Sequence, residues 1–320
     1  MGKKEEQHMV KNGGMVLEEL ISTGNGRCNP IRNFSAKQLL EATNNFHSPS
    51  FTTRGEEKWF KAFVNNRPVL IKKVCCSEPS LTEVCRDIAI SSQMSSHGRV
   101  LKLLGCCLEF PVPALVYEDA ENGPLNRYGG TNGQSLPWMT RLRIAKDIAN
   151  ALTNLHTAFS RPIIHLSVEP SNVLLDTDFV PKLCNFSRSV SIPEGETQVK
   201  VLQFSGTFGF LDPHYINTFS ATEKTDVYSF GVFLLVLLTG KPACDMQGRL
   251  VDFVAKKPWN EIVDSTILEE EGVTTEKQQK KLLDFLNLGL KCTQDGCEDR
   301  PTMIDVAKEL VRIHSSTPAP

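Results

Sequence analysis

The sequence predicts an α+β fold in which a small β-rich part precedes a larger helical part. Three observations carry this. Short apolar runs rich in aromatic and β-branched residues, KWFKAFV, PVLIKKV and PALVYE, recur between about Phe51 and Tyr117, broken by Asn65-Asn66, Pro68, Pro111 and Pro113. After Asn122-Gly123 the apolar residues return at helical spacing, as in Ala145, Ile148, Ala149, Leu152 and Leu155. The composition is that of a folded chain: 320 residues, 40% hydrophobic and 22% charged, enough to bury a sizeable core.

Residues 1–30 read as a leader, polar and partly flexible through Gly13-Gly14, with a short helix over Met15–Ser22 stopped by Gly24 and Gly26. Residues 31–119 are an N-terminal extension and the β-rich lobe. There Ser35 reads as the N-cap of a helix carrying Leu39, Leu40 and Ala42, and a second helix around SLTEVCRDIAISSQM interrupts the strands. Residues 120–313 are the helical lobe, with helices over Val227–Leu238, Lys280–Lys291 and Pro301–Ile313, the last with proline in its first turn. Residues 314–320 read as a flexible tail. Val227–Leu238 is the most apolar run but is shorter than the roughly 18 residues a bilayer demands, so it reads as a buried core helix and no transmembrane segment is expected.

Charge and cysteine usage exclude several functions. Lys plus Arg is 35 and Asp plus Glu is 37, a net charge of -2, which argues against a nucleic-acid partner that needs a basic surface to displace counterions. The ten cysteines include the adjacent pairs Cys75-Cys76 and Cys106-Cys107 and lack zinc-site spacing, so they read as reduced, buried hydrophobes and no metal is expected. The N-terminus MGKKEEQHMV lacks the apolar core of a secretory signal, which makes the cytoplasm the expected compartment. Gly2 invites a myristoylation reading, but Glu6 stands where that motif takes Ser or Thr.

Six motifs stand in a meaningful order: VLIK at Val69–Lys72, PIIHLSVEPSN around His165, CNFS at Cys184–Ser187, GTFGFLDPHY, TDVYSFG with Asp226, and DRPTM with Arg300. Over about residues 45–313 the chain resembles protein kinases, whose catalytic core reads H-R-D-x-K-P-x-N and then D-F-G. The resemblance implies a bilobal protein-kinase-like fold. IRNFSAKQLLEATNNF and KLLGCCLE narrow it to plant receptor-like cytoplasmic kinases, and the chain is similar to the ZRK group, kinase-like adaptors of an intracellular NLR immune receptor.

Phosphoryl transfer is chiefly positioning and charge stabilisation, so its parts can be checked one by one. The phosphate-covering glycines fall at Thr52, Arg54 and Glu57, with Gly55 off register, and Glu56 and Glu57 bring negative charge toward a triphosphate. Lys72 remains, either as a vestigial nucleotide-binding residue or as a solvated strand lysine. Its acidic partner is Asp87, one methylene short, or Glu83, one turn earlier. Ser167 replaces the carboxylate that orients the attacking hydroxyl, a loss of about 10²–10⁴-fold in such reactions. Glu169 inverts the charge of the loop lysine, and Leu166 removes the arginine that would meet a phosphorylated activation segment. Asn172 persists as a neutral magnesium ligand, while Asn185 replaces the metal-binding aspartate. Catalysis is therefore expected to be absent and MgATP binding weak or absent, with no cofactor. The architectural residues His165, Phe186, Asp226 and Arg300 are kept. His214 stands where the resemblance implies a glutamate paired with Arg300, so a loosened activation segment is expected.

The resemblance implies an adaptor whose partners are the leucine-rich-repeat face of an NLR receptor and a modified receptor-like cytoplasmic kinase. A pathogen effector enzyme is a further partner if the chain is itself the modified decoy. Localisation is then cytoplasmic, with peripheral placement at the plasma membrane through partners as a variant. The segment from Phe186 to Pro213 is expected to be mobile and to recognise the conditional partner through Val199, Leu202 and Phe204, with Arg188 and Lys200 receiving an added anionic group. Thr197, Ser205 and Thr207 are the candidate acceptor hydroxyls for modification. The alternative is an active, divergent Ser/Thr kinase with relocated acids such as Glu169 or Asp176.

Overall fold

The computed structural model describes residues 2–24, 31–47, 52–54, 57–74, 78–131, 134–201, 206–270 and 275–315. The chain forms two compact units, Met1–Glu121 with Cys184–Ser189, and Asn122–Leu183 with Val190–Pro320.

The first unit is built on a six-stranded sheet in the order β1-β5-β6-β4-β3-β2. Its strands are β1 (Arg32–Asn33), β2 (Thr52–Arg54), β3 (Glu57–Val64), β4 (Arg67–Val74), β5 (Leu103–Cys107) and β6 (Ala114–Glu118). β3 and β4 are joined by Asn65 and Asn66, both with positive φ, the backbone a two-residue turn needs between twisted strands. That turn sets the register, Val64 opposite Arg67 and so on back to Trp59 opposite Lys72 and Glu57 opposite Val74. Phe60, Ala62 and Val64 are buried while Lys61 and Phe63 are exposed, the period-two signature of a strand with one wet face, and buried Trp59 breaks the alternation on that face. β1 lies parallel to β5 and passes so close that a Cβ on Gly105 would collide with the Arg32 carbonyl.

Three helices complete this unit: α1 (Lys3–Gly24), α2 (Ala36–Ala42) and α3 (Glu78–Met94). Ser35 caps α2 in a reciprocal box with Gln38. α1 corrects the expectation of a leader that is flexible through Gly13-Gly14 and helical only over Met15–Ser22. Residues 3–14 are helical, Gly13 and Gly14 do not interrupt them, and the helix packs along α3. Two glycines cost roughly 2 kcal/mol of helix propensity. Tertiary contacts offset this: buried Asn12 donates from its amide to the Leu108 and Phe110 carbonyls, both at 2.9 Å, and Gln93 donates to Thr23 at 2.8 Å.

The second unit is mainly helical, with α4 (Trp138–Thr157), α5 (Pro213–Thr218), α6 (Glu223–Thr239), α7 (Leu250–Val254), α8 (Trp259–Ile262), α9 (Ser265–Leu268), α10 (Glu276–Cys292) and α11 (Met303–Ser315). α6 is the apolar helix expected from the sequence. Thr222 and Thr225 box its N-terminus, Gly240 ends it at φ 62°, and almost every residue between is buried. Small strands frame the loops: β7 (Gly123–Pro124), β8 (Ile163–Ile164), β9 (Val173–Leu175), β10 (Pro181–Leu183), β11 (Val190–Ser191), β12 (Val199–Lys200), β13 (Ser220–Ala221), β14 (Cys244–Asp245) and β15 (Gly248–Arg249).

Among the described residues no helix is long and apolar enough to cross a membrane, and no cluster of His, Cys, Asp and Glu is arranged to hold a metal ion.

Candidate functional site

In the first unit, Lys72 is completely buried at the middle of β4 and is the hub of a polar network. Its ammonium meets Asp87 Oδ2 at 3.0 Å, Glu57 Oε1 at 3.0 Å and Asn185 Oδ1 at 2.8 Å. Three acceptors match its three N–H bonds. Burial would pull its pKa down; Asp87 and then Glu57 outweigh that, and the pKa stands above the ordinary lysine value. Of the two helix acids considered for this pairing, Asp87 is the one that meets Lys72, and Glu83 is on the exposed side of α3. Asp87 also accepts from Ser91 Oγ at 3.1 Å and from the Phe186 amide at 3.0 Å, which ties the Cys184–Ser189 segment to α3 and holds the Phe186 ring in the core. Asn185, at φ 69°, accepts from Ser187 Oγ at 2.8 Å and reaches Glu57 Oε2 at 3.4 Å.

Sequence reasoning missed what Glu57 and Trp59 do. Glu57 was read only as negative charge in a phosphate loop, yet it turns onto Lys72. Trp59 stacks on Tyr117 with ring centroids 5.4 Å apart, both rings buried, and Lys72 lies 5.8 Å from the indole. The signal was available. A two-residue Asn65-Asn66 turn pairs each residue of β3 with a fixed residue of β4, which puts Trp59 opposite Lys72 and Glu57 diagonal to it on the same face. Thr52 and Arg54 form β2, paired with β3; Gly55 and Glu56 are outside the described residues.

In the second unit, the loop after β8 turns sharply at Leu166, φ 60°, a costly conformation for a leucine. Asp226, buried at the start of α6, holds it. Its carboxylate accepts from the His165 amide at 2.7 Å and the Leu166 amide at 2.9 Å, and meets His156 Nε2 at 2.9 Å. His165 in turn accepts the Ser167 amide on Nδ1 at 3.2 Å. Beyond the turn, Asn172 donates its amide to Ser167 O at 2.7 Å, Ser167 Oγ at 3.0 Å and Glu169 Oε1 at 3.2 Å, and Ser167 Oγ lies 3.3 Å from Glu169 Oε1. The three side chains are buried and bonded to one another.

Two expectations about the activation segment are corrected. Its described parts are anchored. β11 pairs with β8, β12 with β13, and Val190, Val199, Val201 and Leu211 pack on a cluster of Ile164, Leu166, Ile192, Tyr215 and Ala221. Leu166, in place of a phosphate-binding cation, supplies apolar area to that cluster. Arg300 does not lack an acid either: its guanidinium donates to Asp212 Oδ1 at 2.8 Å, to Gln294 O at 2.8 Å and to Lys224 O at 3.1 Å, both side chains of the ion pair fully buried. Asp212, which also receives the His214 amide at 2.9 Å, takes the part expected of a glutamate at His214.

Val199 is half-buried in the cluster rather than presented outward; Lys200 is exposed and bonds the Thr218 carbonyl at 3.0 Å. Arg188 is half-buried in the first unit, Thr197 is exposed and Thr207 half-buried. Leu202, Phe204 and Ser205 are outside the described residues.

Residues 40–310 match the family model for protein tyrosine and serine/threonine kinases. The chain belongs to the protein kinase family. Among its relatives are members of the ZRK family from Arabidopsis thaliana. It is 44% identical over 325 residues to the non-functional pseudokinase ZED1, covering 96% of each chain. It is 42% identical over 334 residues to the serine/threonine-protein kinase ZRK1, covering 98% of this chain and 94% of that one. The non-functional pseudokinase ZRK2 is 42% identical over 330 residues, 98% and 91% covered. These relatives thus include one named as a kinase and two named as non-functional.

Proposed function

We propose that this kinase-family chain is a pseudokinase: a binding module that keeps the fold and has given up phosphotransfer. The observation that carries this is Lys72, buried and bonded to Glu57, Asp87 and Asn185. A lysine that cradles phosphate in a kinase is here spent on the protein's own side chains. Asn185 offers no charge for magnesium, and Ser167 cannot take a proton at neutral pH. The relatives named as non-functional agree with this reading.

By its resemblance, the module acts as an adaptor in plant innate immunity. It links an NLR receptor, through the receptor's leucine-rich-repeat face, to effector-modified cytoplasmic kinases, or serves itself as the modified decoy. It works in the cytoplasm without a bound nucleotide. The competing reading is a divergent active kinase. Two observations favour it: a relative named as a serine/threonine-protein kinase, and the Glu169 carboxylate 3.3 Å from the Ser167 hydroxyl. Radiolabelled phosphotransfer by the full chain, with Lys72→Ala as control, separates the two. Incorporation at background supports the pseudokinase; Lys72-dependent incorporation overturns it. Co-purification with a candidate NLR tests the adaptor role independently.

A further inference from the structure

The three groups bonded to Lys72 are not equivalent. Asp87 is fully buried and is held from two other sides, by Ser91 Oγ and the Phe186 amide. Asn185 is buried and held by Ser187. Glu57 is the most exposed of the three, its side chain 20% exposed, and among the described residues its only other polar partner beyond Lys72 is Asn185, in a long 3.4 Å contact. It is the first residue of β3, whereas Asp87 comes from α3. Lys72 with Asp87 is a neutral pair; Glu57 makes the cluster net negative.

We propose that the Glu57 carboxylate is a built-in anionic ligand that occupies the place of a polyphosphate at Lys72, which makes Glu57 the residue that excludes phosphate from this site. The inference rests on the pseudokinase reading and adds its cause within the first unit. An incoming phosphate oxygen must displace an acceptor of the same charge already tethered beside the ammonium, where its effective concentration is high. It must also approach a cluster that carries an unbalanced negative charge. Removing Glu57 leaves one ammonium donor unfilled and facing outward, next to an acid that is already neutralised. The site uncovered takes phosphate without a nucleobase. Trp59, opposite Lys72, and Tyr117 are both buried and stacked on each other, so neither ring is an open platform for a base.

The test is calorimetric titration of the full chain with inorganic triphosphate, and separately with metal-free ATP. The variants are Glu57→Ala, Glu57→Gln, Glu57→Ala combined with Lys72→Met, and Glu83→Gln, which removes an exposed acid from α3. Expected is about tenfold or greater tightening for triphosphate in Glu57→Ala, a smaller gain in Glu57→Gln, and no advantage of ATP over triphosphate. The gain should vanish with Lys72→Met and be absent in Glu83→Gln. A cooperatively folded Glu57→Ala or Glu57→Gln that binds no tighter than wild type overturns the inference. So does a gain that survives Lys72→Met or is matched by Glu83→Gln. If Glu57→Ala does not fold, Glu57→Gln decides. Phosphotransfer by the wild type would count against the pseudokinase reading but would leave this ranking of affinities to stand or fall by itself.

Discussion

Single carboxylates hold the strained and buried parts of this molecule, and each has a measurable consequence. Asp226 collects three donors around the turn at Leu166. Replacing it by Ala strands two buried amides and releases a left-handed leucine, so Asp226→Ala should lose about 3 kcal/mol or more in urea unfolding. A loss within about 0.5 kcal/mol would mean that the turn is held by something else. Asp264 gives a pH-dependent case. Burial would raise its pKa, but the buried Arg141 guanidinium at 2.6 Å and the Thr266 amide outweigh burial and bring the pKa below the ordinary aspartate value. A depressed folded pKa stabilises fully above the unfolded value near 4 and loses that contribution as pH falls through the folded one. Asp264→Asn should therefore be clearly less stable than wild type at pH 7, and the gap should narrow below about pH 4. A gap that stays constant with pH would refute the assignment.

Among the elements, α1 and the activation segment show where sequence patterns stop. β3, β4, β6, α2 and α6 were legible because their signals are local: short apolar runs rich in aromatic and β-branched residues, Ser35 as an N-cap, and the apolar run Val227–Leu238. α1 was legible only in its second half. Its docking face includes polar Asn12 and Thr23, whose partners Leu108, Phe110 and Gln93 are 70 to 98 residues away. No local period reports such partners, and Gly13-Gly14 reads as a stop. Amide exchange should accordingly be slow across Asn12–Thr23, and Asn12→Ala should cost about 1–2 kcal/mol. Random-coil exchange there would contradict the docking. The activation segment was misjudged for a related reason. Val199 and Leu166 look like an exposed anchor and a lost cation until β12 pairs with β13 and both join one apolar cluster. Leu166→Arg, which restores the family's usual residue, should destabilise by about 2 kcal/mol or more, since it buries a charge without a prepared partner. A neutral Leu166→Arg would show that the position still accommodates a cation.

At the scale of the whole molecule, the departures from a working kinase are divided between the two units. Ser167 and Glu169 belong to the second unit, Asn185 and Glu57 to the first. Within each unit the substituted residues bond one another and a retained residue: Ser167 and Glu169 with Asn172 in one network, Glu57 and Asn185 with Lys72 in the other. Reverting one member therefore disturbs its neighbours. Asn185→Asp alone would gather three carboxylates around one ammonium, so that variant should melt below wild type and should regain stability with millimolar magnesium, while wild type should show no such response. Ser167→Asp alone would set a second acid beside Glu169, whose carboxylate is already 3.3 Å from Ser167 Oγ. Groups that act as one machine are not additive, and a machine missing parts in both halves gains nothing from repair of one. Ser167→Asp with Glu169→Lys, and separately Asn185→Asp with Glu57→Gly, should both stay at background in a phosphotransfer assay. Only the fourfold variant restores the base, the loop lysine and the metal-binding aspartate together and removes Glu57, and it alone is expected to rise above background. Turnover in either double variant would place the block in one unit and contradict a loss shared by both.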